Sequence, residues 1–227
     1  MDWTRDQLIL ALYWYCTKIP FTKVRYTKPE IIELANLVGR TPSAAAFKLV
    51  NFARLDPSLQ KRGVKGMQKG AKAEKPIWDE YYGNWDALAY AAEKIIAEKK
   101  GLTLEQVSEI EISDLPKEGK ERQATIKVRI NQSFFRRAVM LSYDNTCCIT
   151  GLKIPELLIA SHIKPWSKDL KQAANPENGL CLNALHDKAF DRGFLTVSED
   201  YKILISNKLL KKKEDLINDF FKPYHNK

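Results

Sequence analysis

The chain has 227 residues, 44% hydrophobic and 29% charged, with a formal net charge of +9, enough apolar material for one or two cored domains of about 100–200 residues each. No apolar run approaches the roughly 18–20 residues that cross a bilayer, and the opening MDWTRDQ lacks the apolar stretch of a secretory signal. A cytoplasmic protein with no membrane partner is expected.

The basic excess is uneven: +8 over residues 1–75, −3 over 76–130 and +4 over 131–227. Such a footprint suits a polyanion, because each phosphate met by Lys or Arg releases condensed counterions. Cys16, Cys147, Cys148 and Cys181 form no C-x-x-C pair. They indicate neither a zinc knuckle nor a disulfide framework, and read as small buried apolar residues.

In chain order, WTRDQLILALYWYCTKI predicts a helix with a broad apolar face and Thr4 as its N-cap. The segment 28–57 predicts two helices around a tight turn. The first spans about 29–38 with Gly39 past its end, and the second begins at Pro42 behind Thr41 and runs to about 55. Ala46, Leu49, Val50 and Phe52 are its core candidates, with Ser43, Lys48, Asn51 and Arg54 on the outer side. This outline is that of a helix-turn-helix reader. The candidate DNA contacts are Arg40, Lys48, Asn51, Arg54, Lys61, Arg62 and Lys65, the last three in the Lys- and Gly-rich segment 60–76, which is expected to be mobile.

Two further helices are expected near 77–82 and 85–99, with Trp78 and Trp85 in the core. The acidic stretch 101–122, broken by Pro116 and Gly119, places a domain boundary between 115 and 116. Beyond it, ATIKVRIN alternates like an edge strand, 132–143 reads as a helix, and CCITG and LLIASHI read as short strands. A loop, a helix around 182–190, the strand pair FLTVS and YKILI, and a last helix in NKLLKKKEDLINDFF follow. His225 is taken as a frayed-end residue with no role.

The chemistry concentrates in SHIKPWSKDLKQAANPENGLCLNALHDKAFDRGF, residues 161–194. Asp187 and Asp191 lie four apart, so on a helix they share a face and can hold one hard divalent cation. His162 ends a strand facing that helix, and an imidazole suits the task of taking a proton from water near neutral pH. Cation plus base is the minimum for phosphodiester hydrolysis. Asn178 has no proton to give and serves by fixing the loop or the imidazole through its amide.

These residues resemble the ββα-metal, or HNH, endonucleases. His162 at the end of the second strand, Asn178 in the following loop and Asp187 nine residues later match the family's three positions, and CCITG, SHIKPW, NGLCLN and FDRG look like its restriction-type branch. The resemblance covers about 120–206. It implies one divalent metal, Mg²⁺ or Mn²⁺, with His162 as general base, Asn178 as its orienting partner, and Asp187 with Asp191 at the metal. Two positions depart from the pattern. Ser161 stands where many members have a further ligand, able to hold metal only through its hydroxyl or a bound water. Asp187 stands where the name has His, with His186 beside it as the alternative ligand. Arg137 and Arg192 are candidate phosphate contacts, with Asp191 and Asp144 as competing partners.

The expected architecture is α+β: a helical, helix-turn-helix-like DNA-binding domain over 1–115 and a C-terminal ββα-metal HNH nuclease domain over 116–227. The expected function is metal-dependent cleavage of double-stranded DNA by a restriction enzyme, of a kind that can include modification-dependent ones. A homodimer would supply the two sites a double-strand cut requires. The alternative is a DNA-binding regulator or adaptor with a decayed HNH fold. No RNA-recognition signature is present.

Overall fold

The computed structural model describes residues 2–63, 72–166 and 172–227. The chain divides into two compact units, residues 1–142 with 164–178, and residues 143–163 with 179–227.

The first unit is helical and built around α1 (Arg5–Thr17), which opens on a capping box between Thr4 and Gln7. Every residue from Leu8 to Trp14 is buried, so α1 is apolar all round rather than on one face, as a central helix must be. Around it pack α2 (Pro29–Val38), α3 (Pro42–Ala53), α5 (Glu74–Tyr81), α6 (Trp85–Lys100) and α8 (Lys120–Ser142). Short α4 (Pro57–Lys61) and α7 (Leu104–Val107) join them. The turn between α2 and α3 follows the sequence: Gly39 adopts φ 65, a left-handed cap cheap for glycine, and Thr41 accepts from the Ala44 amide with Pro42 behind it. Trp78 and Trp85 are buried as expected, Trp78 stacking on Tyr82 at 4.5 Å.

Several expectations change. ATIKVRIN is helical, the start of α8. Its alternation competes with a four-residue repeat, Ile126, Ile130, Phe134 and Ala138, which is the stripe α8 buries. That stripe belongs to the core of the first unit, which runs through Ser142. CCITG is a turn, closed by the Cys147 amide on Leu152 O and the Gly151 amide on Cys147 O, with Cys148 exposed while Cys147 and Cys181 are buried.

In the second unit β1 (Leu158–His162) pairs antiparallel with β2 (Gly179–Asn183), and α9 (Ala184–Asp191) packs on both. A second hairpin, β3 (Leu195–Val197) with β4 (Ile203–Ile205), follows. The tail forms two short helices, α10 (Asn207–Leu210) and α11 (Asp215–Phe220), rather than one. Ala189, Leu195, Ile205, Ile217 and Phe221 make this unit's core. His225 is not frayed: its Nδ1 accepts from the Ile205 amide at 3.1 Å, and the Asn226 amide donates to Ile203 O.

Candidate functional site

The β1–β2–α9 order puts His162, Asp187 and Asp191 in the same unit. His162 is half-buried at the end of β1, and its cross-strand partner Gly179 has no side chain to cover it from that position. Asp187 is half-buried in the first turn of α9, where a carboxylate suits the helix N-terminus, and exposed Asp191 lies one turn on. Burial pushes the Asp187 carboxyl up and the charge of Asp191 adds to this, against a lowering contact from Ser161 and the charge of Lys188. Ser161 is 3% exposed and its hydroxyl makes no hydrogen bond of ordinary length and direction among the described residues. Its contact with Asp187 is therefore at the edge of hydrogen-bond geometry. The oxygen-bearing group is thus two carboxylates that feel one another and a buried hydroxyl without a full partner.

His186 is placed differently. It is 1% exposed, with Nε2 2.7 Å from Phe220 O and Nδ1 2.8 Å from Asn183 Nδ2. A carbonyl accepts and an amide NH₂ donates, so the ring is the neutral tautomer carrying its proton on Nε2. Burial lowers its pKa further, and the Phe221 and Tyr224 rings meet it edge-on. Both nitrogens are committed inside the fold, which leaves no lone pair for a cation. Asn183, overlooked in the sequence reading, holds this arrangement together. Its Oδ1 caps α9 by accepting from the His186 amide at 2.9 Å, and its Nδ2 also reaches Thr150 Oγ1 at 3.3 Å. The signal was present: an Asn three residues before His186 at the start of a helix is a cap spacing.

Asn178 belongs to the first unit with the segment 164–178. It is buried, and its amide accepts from the Lys164 N–H at 2.8 Å and donates to Lys164 O at 3.1 Å and Gln172 O at 3.4 Å. Of the two roles open to it, the geometry is that of a loop clamp on the segment that leaves β1.

Several residues expected to face DNA are held inside the first unit instead. Lys48 Nζ and Asn51 Nδ2 both donate to one oxygen of the fully buried Glu74, at 2.6 and 2.9 Å, and its second oxygen has no partner among the described residues. Arg40 donates to Asp2 O and Gln7 and lies over the Trp3 ring. Arg137, half-buried, donates to buried Glu93 and to the Tyr13 hydroxyl, an internal ion pair rather than a phosphate clamp. For Lys48 and Arg137 the reason is the same: each sits beside a buried carboxylate that needs a counter-charge. The outward positions of α3 are Ser43 and Phe47, the latter 56% exposed. Arg54 is half-buried, whereas Lys61, Arg62 and Arg192 are exposed. Lys65 lies outside the described residues, as does most of the basic segment 60–76.

Residues 147–198 match the model of the HNH endonuclease family. That stretch holds β1, β2, α9 and β3, so the similarity to HNH endonucleases falls on the ββα segment that carries His162, Asp187 and Asp191. No curated protein and no solved structure matches the chain. No described helix is long and apolar enough to cross a membrane.

Proposed function

We propose that the protein is a metal-dependent endonuclease that hydrolyses double-stranded DNA, in the manner of a restriction enzyme. The observation that carries this reading is the HNH match laid over a ββα unit in which Asp187, Asp191 and the Ser161 hydroxyl form one oxygen-bearing group. Among the described residues no three His, Cys, Asp or Glu side chains converge as a metal site. Mg²⁺ does not require that: it is commonly held by one or two carboxylates plus substrate phosphate and keeps several waters. Asp187 and Asp191 fit such an ion, or Mn²⁺, and the orphaned Ser161 hydroxyl can bond one of its waters. When bound, the cation neutralises charge on the phosphate and the leaving oxygen.

The chain's own residues supply the rest. His162 takes the proton of the attacking water. Asn178 holds the loop that leaves β1 two residues after that histidine, and Asn183 with His186 fixes the start of α9 so that Asp187 faces Ser161. Arg192 is available for phosphate, and exposed Lys61 and Arg62 for the DNA backbone. Helix-turn-helix reading by α2 and α3 would rest on α3's outward face, Ser43 and Phe47, rather than on Lys48 and Asn51. A homodimer would allow both strands to be cut.

Supercoiled-plasmid cleavage in Mg²⁺, Mn²⁺ or EDTA, with wild type and His162→Ala, on unmodified and cytosine-modified DNA, tests the reading. Metal-dependent nicking or linearisation that His162→Ala removes is expected, and a preference between the plasmids would speak to modification dependence. Retained DNA binding in EDTA with no cleavage under either metal would instead favour a decayed HNH fold acting as a DNA-binding regulator.

A further inference from the structure

The apolar residues at α11 come in two rows. Ile217 and Phe221, four apart, are buried in the core of the second unit. Leu216 and Phe220, also four apart and so on one face, stand beside that row and are 50% and 49% exposed. A surface helix normally buries its apolar stripe and turns a polar face to water. Here the stripe is wider than the chain itself covers. Other exposed large apolar side chains stand singly on their helices; among the described helices only α11 carries two of them one turn apart. Half-exposed Leu185 lies close to the same row, because the hydrogen bond between His186 Nε2 and Phe220 O joins the first turn of α9 to the end of α11.

Charge is ordered around this row. Lys211, Lys212 and Lys213 lead into α11, and Asp215 and Asp219, four apart, run beside Leu216 and Phe220 on the side away from the core. All five are exposed. The ion pair Lys212 makes with Glu214 is long, 3.9 Å, and both side chains are mostly in water, so it competes little for other partners. The chemistry that fits the row is thus an apolar strip with cations at one end and carboxylates at the other. The surface itself has that composition, which makes it self-complementary: in a two-fold pair the same patch meets itself, with the start of one helix against the end of the other.

We propose that the outer face of α11 is the contact between two copies of this chain. Leu216 and Phe220 of each copy pack across the two-fold axis, and Lys211–Lys213 of each meet Asp219 of the other. The row is narrow, so the contact belongs with small interfaces burying under about 1,200 Å² in total, and association in the micromolar range is expected. This gives the homodimer of the nuclease reading a surface, while needing neither metal nor DNA.

The test is sedimentation equilibrium of the full chain in EDTA without DNA, over a protein concentration series at low and high salt. The average mass of wild type should climb from that of one chain toward two. Leu216→Glu/Phe220→Glu should weaken association by at least about a hundredfold, while Tyr201→Glu, at an 88% exposed aromatic elsewhere in the unit, should leave it unchanged. Asp219→Lys and Lys211→Glu/Lys213→Glu should each weaken self-association at low salt, because like charges then face one another. An equimolar mixture of these two variants should associate again, since both ends of the mixed pair are attractive. That rescue is specific to a second copy in the antiparallel arrangement. The proposal is overturned if wild type stays at the mass of one chain throughout, if the Leu216/Phe220 variant associates like wild type, if Tyr201→Glu loses as much, or if the mixture does no better than its components. Should the double variant melt early, single Leu216→Glu replaces it with the same criteria. Dimers that cut no DNA in Mg²⁺ or Mn²⁺ would sink the nuclease reading alone, and metal-dependent cleavage by a chain that never pairs would sink this surface alone.

Discussion

The two histidines of the ββα segment are used in opposite ways. His162 is left half-open at a strand end, while His186 spends both ring nitrogens on Asn183 and Phe220 O. If His162 is the general base, His162→Ala should slow cleavage by about 10²–10⁴-fold while DNA affinity in EDTA is retained, as single-turnover cleavage and anisotropy would show. His186→Ala should act first on stability. It strands two buried polar partners, each worth about 1–3 kcal/mol, so urea melts should move well to lower midpoints. Asp187 should behave in the reverse sense. Its folded pKa lies above the unfolded value, so its ionised form at neutral pH costs stability. Asp187→Asn should therefore raise the melting temperature in EDTA while removing the heat of Mn²⁺ binding in calorimetry. A fall in melting temperature would mean that the carboxylate is held by favourable contacts, and the metal assignment would lose its physical basis.

At the scale of elements, caps and turns were legible because they are local. Gly39, Thr41 and Pro42 act within a few residues of themselves, and the α2–turn–α3 unit appears where their chemistry places it. The start of α8 was not legible from alternation alone. Ala124, Ile126, Val128 and Ile130 fit a strand as well as a helix. The choice went to the period that continued into Phe134 and Ala138, and a neighbouring surface on α6 was needed to bury it. Ile130→Ala, at a fully buried position, should cost about 2–5 kcal/mol in a denaturant melt. Val128→Ala on the exposed side should cost little, and a large loss there would put the buried face of α8 elsewhere.

For the whole molecule, the first unit holds a charge network at its centre. The Tyr13 hydroxyl donates to Glu93 at 2.5 Å, and Arg137 donates to both, joining α1, α6 and α8. Glu93→Ala leaves the buried Tyr13 hydroxyl and the half-buried Arg137 without their shared acceptor, so it should destabilise by about 1–3 kcal/mol. The same burial shapes the alkaline limit. Tyr13 and Tyr15 have folded pKa values raised above the ordinary 10.0, in both cases chiefly by burial. A group whose folded pKa is raised stabilises the fold below its unfolded pKa and loses that contribution as pH rises, so stability should fall above about pH 10. Urea melts at pH 8 and above pH 10, with tyrosinate absorbance as the monitor, check this. An unchanged midpoint across that range would show that the burial of these two rings does not set the alkaline limit.

The order of residues was by itself enough to mark the spacing of His162, Asn178 and Asp187, the helix caps, the uneven positive charge and the apolar α1, since each depends on neighbours in the chain or on totals. Tertiary structure alone decided which cations are spent and which face outward. Lys48, Asn51 and Arg137 look like surface residues in the sequence, and become internal partners, two counter-charges and one amide donor, only because Glu74 and Glu93 are folded against them. His186 looks like a second metal ligand until the Phe220 carbonyl, 34 residues away in sequence, takes its Nε2 proton into a hydrogen bond. A buried carboxylate or carbonyl needs its partner within about 3 Å, and that distance is set by packing between elements, which spacing along one chain does not record.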